Sequence, residues 1–356
     1  MLTITPDHEV SQPTGLSDMT EEPVDLSTNE NPLGPSPRVV EAIDREARRV
    51  HRYPAREDGT LREALAGHHG HGLTPDHFVT GASASEVLEF VARAALRPGD
   101  EGLICSPTFP VYASTAAHQD ARVVDVPLDP ATGGHHADRI LAAVTPRTRL
   151  LYICNPGNPT GIRMPAAEFT ALLERIPSGV IVVADEVYYQ YVEGDFPDTV
   201  EQIHAGRDAV IVHSFSKGYG MAGLRLGYGI ARPELVRRFA RFRLMYHLSG
   251  IALAAGIAAL ADQEHVTRTV ALTREGRRYF AGELDRLGIR YWPSEANFVL
   301  TAPTAPDRVL ARLAADGILV RAVEGPGQVP CLRISIGRPE VNRRVIEALA
   351  SEEGVA

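Results

Sequence analysis

Lysine is nearly missing from this chain. Of 36 lysines and arginines, a single lysine, Lys217, leaves 36 − 1 = 35 arginines, although lysine is ordinarily among the commonest residues. Replacement of surface lysine by arginine explains the scarcity but not where the survivor stands. It lies in "HSFSKGYGMAGLRLGYGI", with glycine on both sides of its neighbour Tyr219. Arginine stays protonated, whereas a lysine amine can lose its proton and form a Schiff base. Cysteine is also scarce. Cys105, Cys154 and Cys331 are too few and scattered for a disulfide framework or a zinc site, and they fit a reducing compartment. Positive charge is not in excess: the net charge is −9 and the pI about 5.8. That excludes a basic field for nucleic acid or an anionic membrane. No apolar run reaches membrane-spanning length; "GIALAAGIAALA" from Gly250 reads as a buried helix. The start, "MLTITPDHEVSQP", has no basic segment followed by an apolar core, so no signal peptide is expected and the expected location is cytoplasmic.

The 356 residues, 44% hydrophobic and 23% charged, suit a large domain with a smaller companion. Residues 1–35 are rich in Pro, Ser, Thr, Asp and Glu and read as an arm packing with the smaller domain. Beyond them, helical stretches such as "TLREALAGHH" and "SASEVLEFVARAAL" alternate with short apolar runs: "EGLICS", "ARVVDVPL", "RLLYICN", "GVIVVADE" and "DAVIVHSFS". Apolar strands separated by helices predict a mostly parallel sheet sandwiched by helices over residues 36–235. From about Pro233, arginine-rich helices lead to "ANFVLTA" and "CLRISIG", which predicts an α+β domain over residues 236–356.

Ligands of open α/β sheets bind beyond the carboxyl ends of the strands, and three such ends are polar here. "LLYICNPGNPTG" closes with Asn155 to Gly161, "VIVVADEVYY" with Asp185, Glu186 and Tyr188, and "AVIVHSFSK" with Ser214, Ser216 and Lys217. An aspartate directly after an apolar strand is costly without a partner. "GASASEVLEF" opens a helix with Ser83, Ala84 and Ser85, a ready anion site. Arg225 adds a charge in the turn "GLRLG". An amine, a carboxylate and an anion hole are the set that pyridoxal phosphate needs. The histidines of "GHHGHG" (His68, His69, His71) read as a solvated helix end, since no carboxylates accompany them, and no metal is expected. "GYGMAG" follows a lysine and lacks the acidic ribose contact of a dinucleotide loop.

With these residues in order, the chain resembles the fold-type I, pyridoxal-phosphate-dependent aminotransferases of class I and II, within them the histidinol-phosphate aminotransferase group. The likeness runs from "NENPLGPSP" at Asn29 to "LRISIGRPEVN" near the C-terminus. It implies an aspartate-aminotransferase-like α/β fold with Lys217 as the Schiff-base lysine. Arg225, Ser214 and Ser216 would hold the cofactor phosphate, with Ser83, Ala84 and Ser85 giving contacts at the helix start. Asp185 would face the pyridine nitrogen, Tyr188 and Asn158 the ring hydroxyl, and Phe109 the ring face. Tyr53 of "RYPA" resembles the tyrosine that reaches the neighbouring active site, implying a homodimer. Arg333 of "CLRISIG" would grip the substrate carboxylate, Asn297 would line the same pocket, and Arg321 would contact a side chain or phosphate. Glu30, on the entry loop, is a candidate for a cationic side chain.

The implied reaction moves an amino group from an L-amino acid to a 2-oxo acid, with Lys217 as proton carrier. The same cofactor also serves decarboxylases of the phosphothreonine type, cyclases and oxidases. Two departures from the histidinol-phosphate pattern fall where the substrate side chain would lie. The arm "SQPTGLSDMTEEPVDLS" has no tyrosine, and a Pro-aromatic-Asn stretch is replaced by "MYHLSG" around Tyr246 and His247. A non-catalytic sensor of the same fold is the remaining alternative, although the chain carries no appended helix-turn-helix.

Overall fold

The computed structural model describes residues 23–54 and 58–354. Most of the expected N-terminal arm, with the segment lacking a tyrosine up to residue 22, lies outside them. After β1 (Val24–Asp25), seven strands build one sheet: β2 (Phe78–Gly81), β3 (Glu101–Ile104), β4 (Arg122–Asp125), β5 (Thr148–Cys154), β6 (Ile181–Asp185), β7 (Ala209–Ser214) and β8 (Gly227–Ala231). Their order is β2-β8-β7-β6-β5-β3-β4. Only β8 runs against its neighbours, pairing antiparallel with β2 and β7. β6 and β7 are buried along their whole length, as strands covered on both faces must be. Alternation sorts their side chains into two cores. Leu151, Ile153, Val182 and Ile211 face one helical layer, and Leu150, Tyr152, Val183 and Val210 the other.

The apolar runs read from the sequence coincide with β3 to β7, but β2 and β8 were not read. In β8, "GYGIA" looks like a turn because two of its five residues are glycine. The glycines are there for packing. A Cβ on Gly227 would stand 2.3 Å from the Ala84 backbone nitrogen, and one on Gly229 3.0 Å from a Val87 methyl. The strand lies against the helix Ala84–Ala95 too closely for a side chain.

The remaining strands are β9 (Arg290–Trp292), β10 (Phe298–Ala302), β11 (Ile318–Leu319), β12 (Arg321–Glu324) and β13 (Pro330–Ser335). An antiparallel sheet runs β12-β13-β10-β9, and β1 pairs with β11 in parallel. Leu26, just after β1, joins Phe280, Leu284, Val299, Leu332, Ile334 and Leu349 in a separate core.

The boundary expected at residue 235 does not match this packing. Leu235 and Phe239 of the helix Pro233–Ala240 pack on the large sheet. So do Leu253, Ala255 and Ala259 of the helix Gly250–Leu260. The change of core falls inside the 25-residue helix Gln263–Leu287. Its Val266 belongs to the large-sheet core, and its Phe280 and Leu284 to the small one. The arginine-rich composition after Pro233 marks a change of surface, which does not coincide with a change of core.

Candidate active site

The carboxyl ends of β5, β6 and β7 open on one cavity of about 850 Å³. Among its walls are Lys217, Asp185, Tyr188, Asn158, Phe109 and Arg333. Ser83, Ala84, Ser85, Ser214, Ser216 and Arg225 line it too, with Glu30 and Arg321. The topology explains the convergence. Parallel neighbours all end on the same edge, and the helix Ala84–Ala95 points its first turn there.

Asp185 ends β6 and is only 3% exposed. The Tyr112 hydroxyl donates to its Oδ2 at 2.7 Å, and the Val187 amide to its Oδ1 at 3.3 Å. Burial nonetheless pushes its pKa up to about 6, opposed by the bonds from Tyr112 and Val187. A cation facing it would draw that value down. In the stretch "SPTFPVY" the sequence points to Phe109 and does not mark Tyr112. The available signal was that a buried tyrosine hydroxyl needs a partner.

Lys217 follows β7 on a tight loop. Its Nζ donates to the Thr28 carbonyl at 2.8 Å. Burial pulls its pKa down to about 8, with help from the Arg333 and Arg225 charges and against the pull of Glu30. A neutral, nucleophilic amine is therefore accessible near physiological pH.

The anion cup is built from backbone under strain. Ser83 caps the helix Ala84–Ala95, its Oγ accepting the Glu86 amide at 3.2 Å, while Glu86 Oε2 accepts the Ala82 amide at 2.5 Å. Ser83 has φ 146° and Arg225 φ 53°, values that L-residues rarely adopt and that surrounding structure must enforce. The first amides of the helix, Ser214, Ser216 and Arg225 face a common space, as a phosphate requires.

On the opposite wall, Asn29 Nδ2 donates to the Tyr188 hydroxyl at 3.0 Å and Asn158 Nδ2 at 3.5 Å. Arg333 donates to Asn158 Oδ1 at 2.7 Å and to the Ser27 carbonyl at 2.5 Å. Its Nε is buried with no hydrogen-bond partner among the described residues. A guanidinium only 8% exposed with a spare donor suits a carboxylate. Asn29, which ties Tyr188 to this wall, lies in "NENP", a stretch whose pattern does not mark it as a site residue.

Three expectations need correction, and a fourth residue, Tyr53, stands apart from this cavity. Asn297 does not line the cavity; it acts one layer back, donating to the Asn29 carbonyl at 3.0 Å. Tyr53, expected to serve a neighbouring active site rather than its own, is 84% exposed and stacks on Tyr246 at 4.9 Å, outside this chain's own cavity. The altered "MYHLSG" segment does not reach the cavity within the chain, and His247 instead contacts the Thr80 carbonyl at 3.2 Å. His69 is not a solvated cap: its Nε2 lies 2.9 Å from the Tyr228 hydroxyl, and burial takes its pKa down to about 2.

The residues present fit pyridoxal phosphate. The cup fits a phosphate, Asp185 a protonated ring nitrogen, the Tyr188–Asn158 pair a ring oxygen, and Lys217 a carbonyl carbon. Sequence comparison agrees: the profile of aminotransferase class I and II matches residues 21–349. The chain belongs to the class I and II aminotransferases.

This aminotransferase is 42% identical over 350 residues to the histidinol-phosphate aminotransferase of Symbiobacterium thermophilum, covering 98% of the chain and 94% of that relative. Its counterpart from Moorella thermoacetica is 36% identical over 97% of the chain and 88% of that protein. Among solved structures, the histidinol-phosphate aminotransferase of Sinorhizobium meliloti in complex with pyridoxal 5'-phosphate aligns with a TM-score of 0.86 and 27% identity, covering 94% of this chain and 91% of that one. An aspartate aminotransferase double mutant from Thermus thermophilus aligns with a TM-score of 0.81 and 27% identity, covering 94% and 92%. The enzyme is thus a pyridoxal-phosphate-dependent transaminase of aspartate-aminotransferase-like fold.

Proposed function

We propose that the enzyme exchanges an amino group between histidinol phosphate, or a close amine analogue, and a 2-oxo acid. The relatives' names support the substrate. The observation that carries the chemistry is the meeting of Lys217, Asp185 and Arg333 in one cavity. When bound, pyridoxal phosphate supplies an electron sink conjugated to the substrate amine. The chain's own groups do the rest. Lys217, the only lysine, bonds the cofactor at rest and carries a proton on Nζ during turnover. Asp185, braced by Tyr112, holds a proton on the ring nitrogen. Tyr188 and Asn158 hold the ring hydroxyl, Phe109 covers the ring, and the Ser83–Ser85 turn, Ser214, Ser216 and Arg225 hold the phosphate. Arg333 binds the carboxylate of the oxo-acid partner, and Arg321 at the rim takes the anionic end of the amine donor.

A homodimer fits the surface. Val50, Tyr53, Leu244 and Met245 are between 63% and 84% exposed, Tyr53 stacks on Tyr246, and large apolar side chains left exposed in this way support a contact. Tyr53 would reach the neighbouring cofactor phosphate from it. No helix among the described residues is long and apolar enough to cross a membrane, and three buried free cysteines fit a cytoplasmic setting.

Glu30 and Glu324, which line the same cavity, favour a second reading, a donor with a cationic side chain. One experiment separates the readings: the purified enzyme is mixed with single donors and no oxo acid. Histidinol phosphate, L-glutamate, L-aspartate, L-arginine and L-phenylalanine are compared by absorbance and mass spectrometry. Fastest conversion of bound cofactor to its amine form with histidinol phosphate is the expected result. Preference for arginine selects the second reading, and release of CO2 without net conversion rejects transamination.

A further inference from the structure

Behind the strand ends lies a buried row of side chains that the reaction does not use. Glu186 Oε1 accepts from the Thr199 hydroxyl at 2.6 Å, and Glu186 Oε2 lies 3.3 Å from His213 Nε2. His213 Nδ1 lies 3.1 Å from the Tyr228 hydroxyl, and that hydroxyl 2.9 Å from His69 Nε2. Glu186 is 6% and His213 4% exposed, and the Tyr189 ring stacks on His213 at 4.1 Å. None of them lines the cavity. Yet Glu186 is bonded to Asp185, and His213 to Ser214.

Proton counting shows that the row is satisfied with every group neutral. A protonated Glu186 donates to His213 Nε2, His213 Nδ1–H donates to Tyr228, and the Tyr228 hydroxyl donates to His69 Nε2. Each donor finds one acceptor, and no buried charge is left. The surroundings agree. The titratable groups facing Glu186 are Asp185, the residue before it, Asp198 before the helix Thr199–His204, Tyr189, His213 and Tyr228, with Tyr219, His69 and His68 beyond. None of these is an arginine or a lysine. Burial raises the Glu186 pKa and lowers that of His213, so both move toward their neutral forms.

We propose that Glu186 is a positioning residue for the transaminase: kept uncharged by this row, it leaves Asp185 the only ionised member of the pair, free to hold the cofactor's ring nitrogen. The inference rests on the assignment of Asp185 to that nitrogen. A second carboxylate beside Asp185 would oppose its ionisation.

The test is cofactor affinity of the cofactor-free protein against pH, read by fluorescence titration from pH 7 to 9.5. Glu186→Gln keeps the neutral shape. Wild type should lose affinity relative to Glu186→Gln by a factor on the order of ten once Glu186 ionises. Thr199→Val, which removes a bond favouring the charged form, should move that loss to higher pH. Infrared spectra of wild type at pH 7.5 should show a protonated carboxyl band that disappears as the pH is raised. Parallel affinity curves for wild type and Glu186→Gln, or no such band, would overturn the proposal. Asp185→Asn separates the two assignments: unchanged cofactor affinity in that variant removes the role of Asp185 itself, whatever Glu186 does.

Discussion

Asp185→Asn should make the cofactor-free protein more stable at neutral pH while crippling its reaction. Burial raises the Asp185 pKa from 3.8 to about 6. The sign follows from linkage. A folded state that binds the proton more tightly than the unfolded chain is favoured at low pH and loses that advantage as pH rises through the folded pKa. Two pKa units correspond to about 3 kcal/mol, lost by wild type between about pH 4 and 6. Asparagine does not titrate, so the melting temperature of the variant minus that of wild type should grow by roughly 4 °C over that window and then level off. Any fixed cost of the amide, such as an unpaired N–H, shifts the difference by a constant and leaves its slope intact. The assay is differential scanning calorimetry of both cofactor-free proteins from pH 4.5 to 7.5. A difference independent of pH would refute the claim that Asp185 is held against its preferred charge. With cofactor bound, the order reverses, because the carboxylate then faces a cation.

Four further outcomes follow from the structure. Tyr112→Phe removes the 2.7 Å bond to Asp185, which is worth about 2 kcal/mol to the charged form. The acid limb of cofactor affinity should move up by about one and a half pH units, as read by titration with the cofactor. Gly227→Ala forces a Cβ to within 2.3 Å of the Ala84 backbone and should loosen the anion cup, lowering both the melting temperature and cofactor affinity. Gly282→Ala, with nothing within 4 Å, should be neutral or mildly stabilising. Lys217 must be neutral to capture the cofactor. Its pKa near 8 predicts a capture rate that rises from pH 7 and levels off above about 8.5, where stopped-flow absorbance would show an ordinary lysine still climbing.

Legibility in the sequence followed how far each signal depended on local pattern. β5, β6 and β7 are apolar runs with polar ends, so Asp185 and Lys217 could be placed from pattern and their convergence from topology. β8 was hidden because its glycines answer a contact with Ala84 that is distant in sequence. Tyr112 was hidden because a buried tyrosine looks the same whether its hydroxyl meets a carboxylate or a carbonyl. Asn297 was misplaced by one layer: it braces Asn29, which faces the cavity. The histidine pair in "GHHGHG" was read from flanking glycines that signal solvent, while His69 turns inward to Tyr228. In each case the missing information was a partner far along the chain.

The central claim, that Lys217 bonds the cofactor, can be tested directly because it is the only lysine in 356 residues. The holoenzyme is reduced with borohydride, digested and mapped by mass spectrometry. The account predicts one stoichiometric pyridoxyl adduct, on the peptide carrying Lys217. An unmodified Lys217, with label only on the N-terminal amine or nowhere, would contradict it.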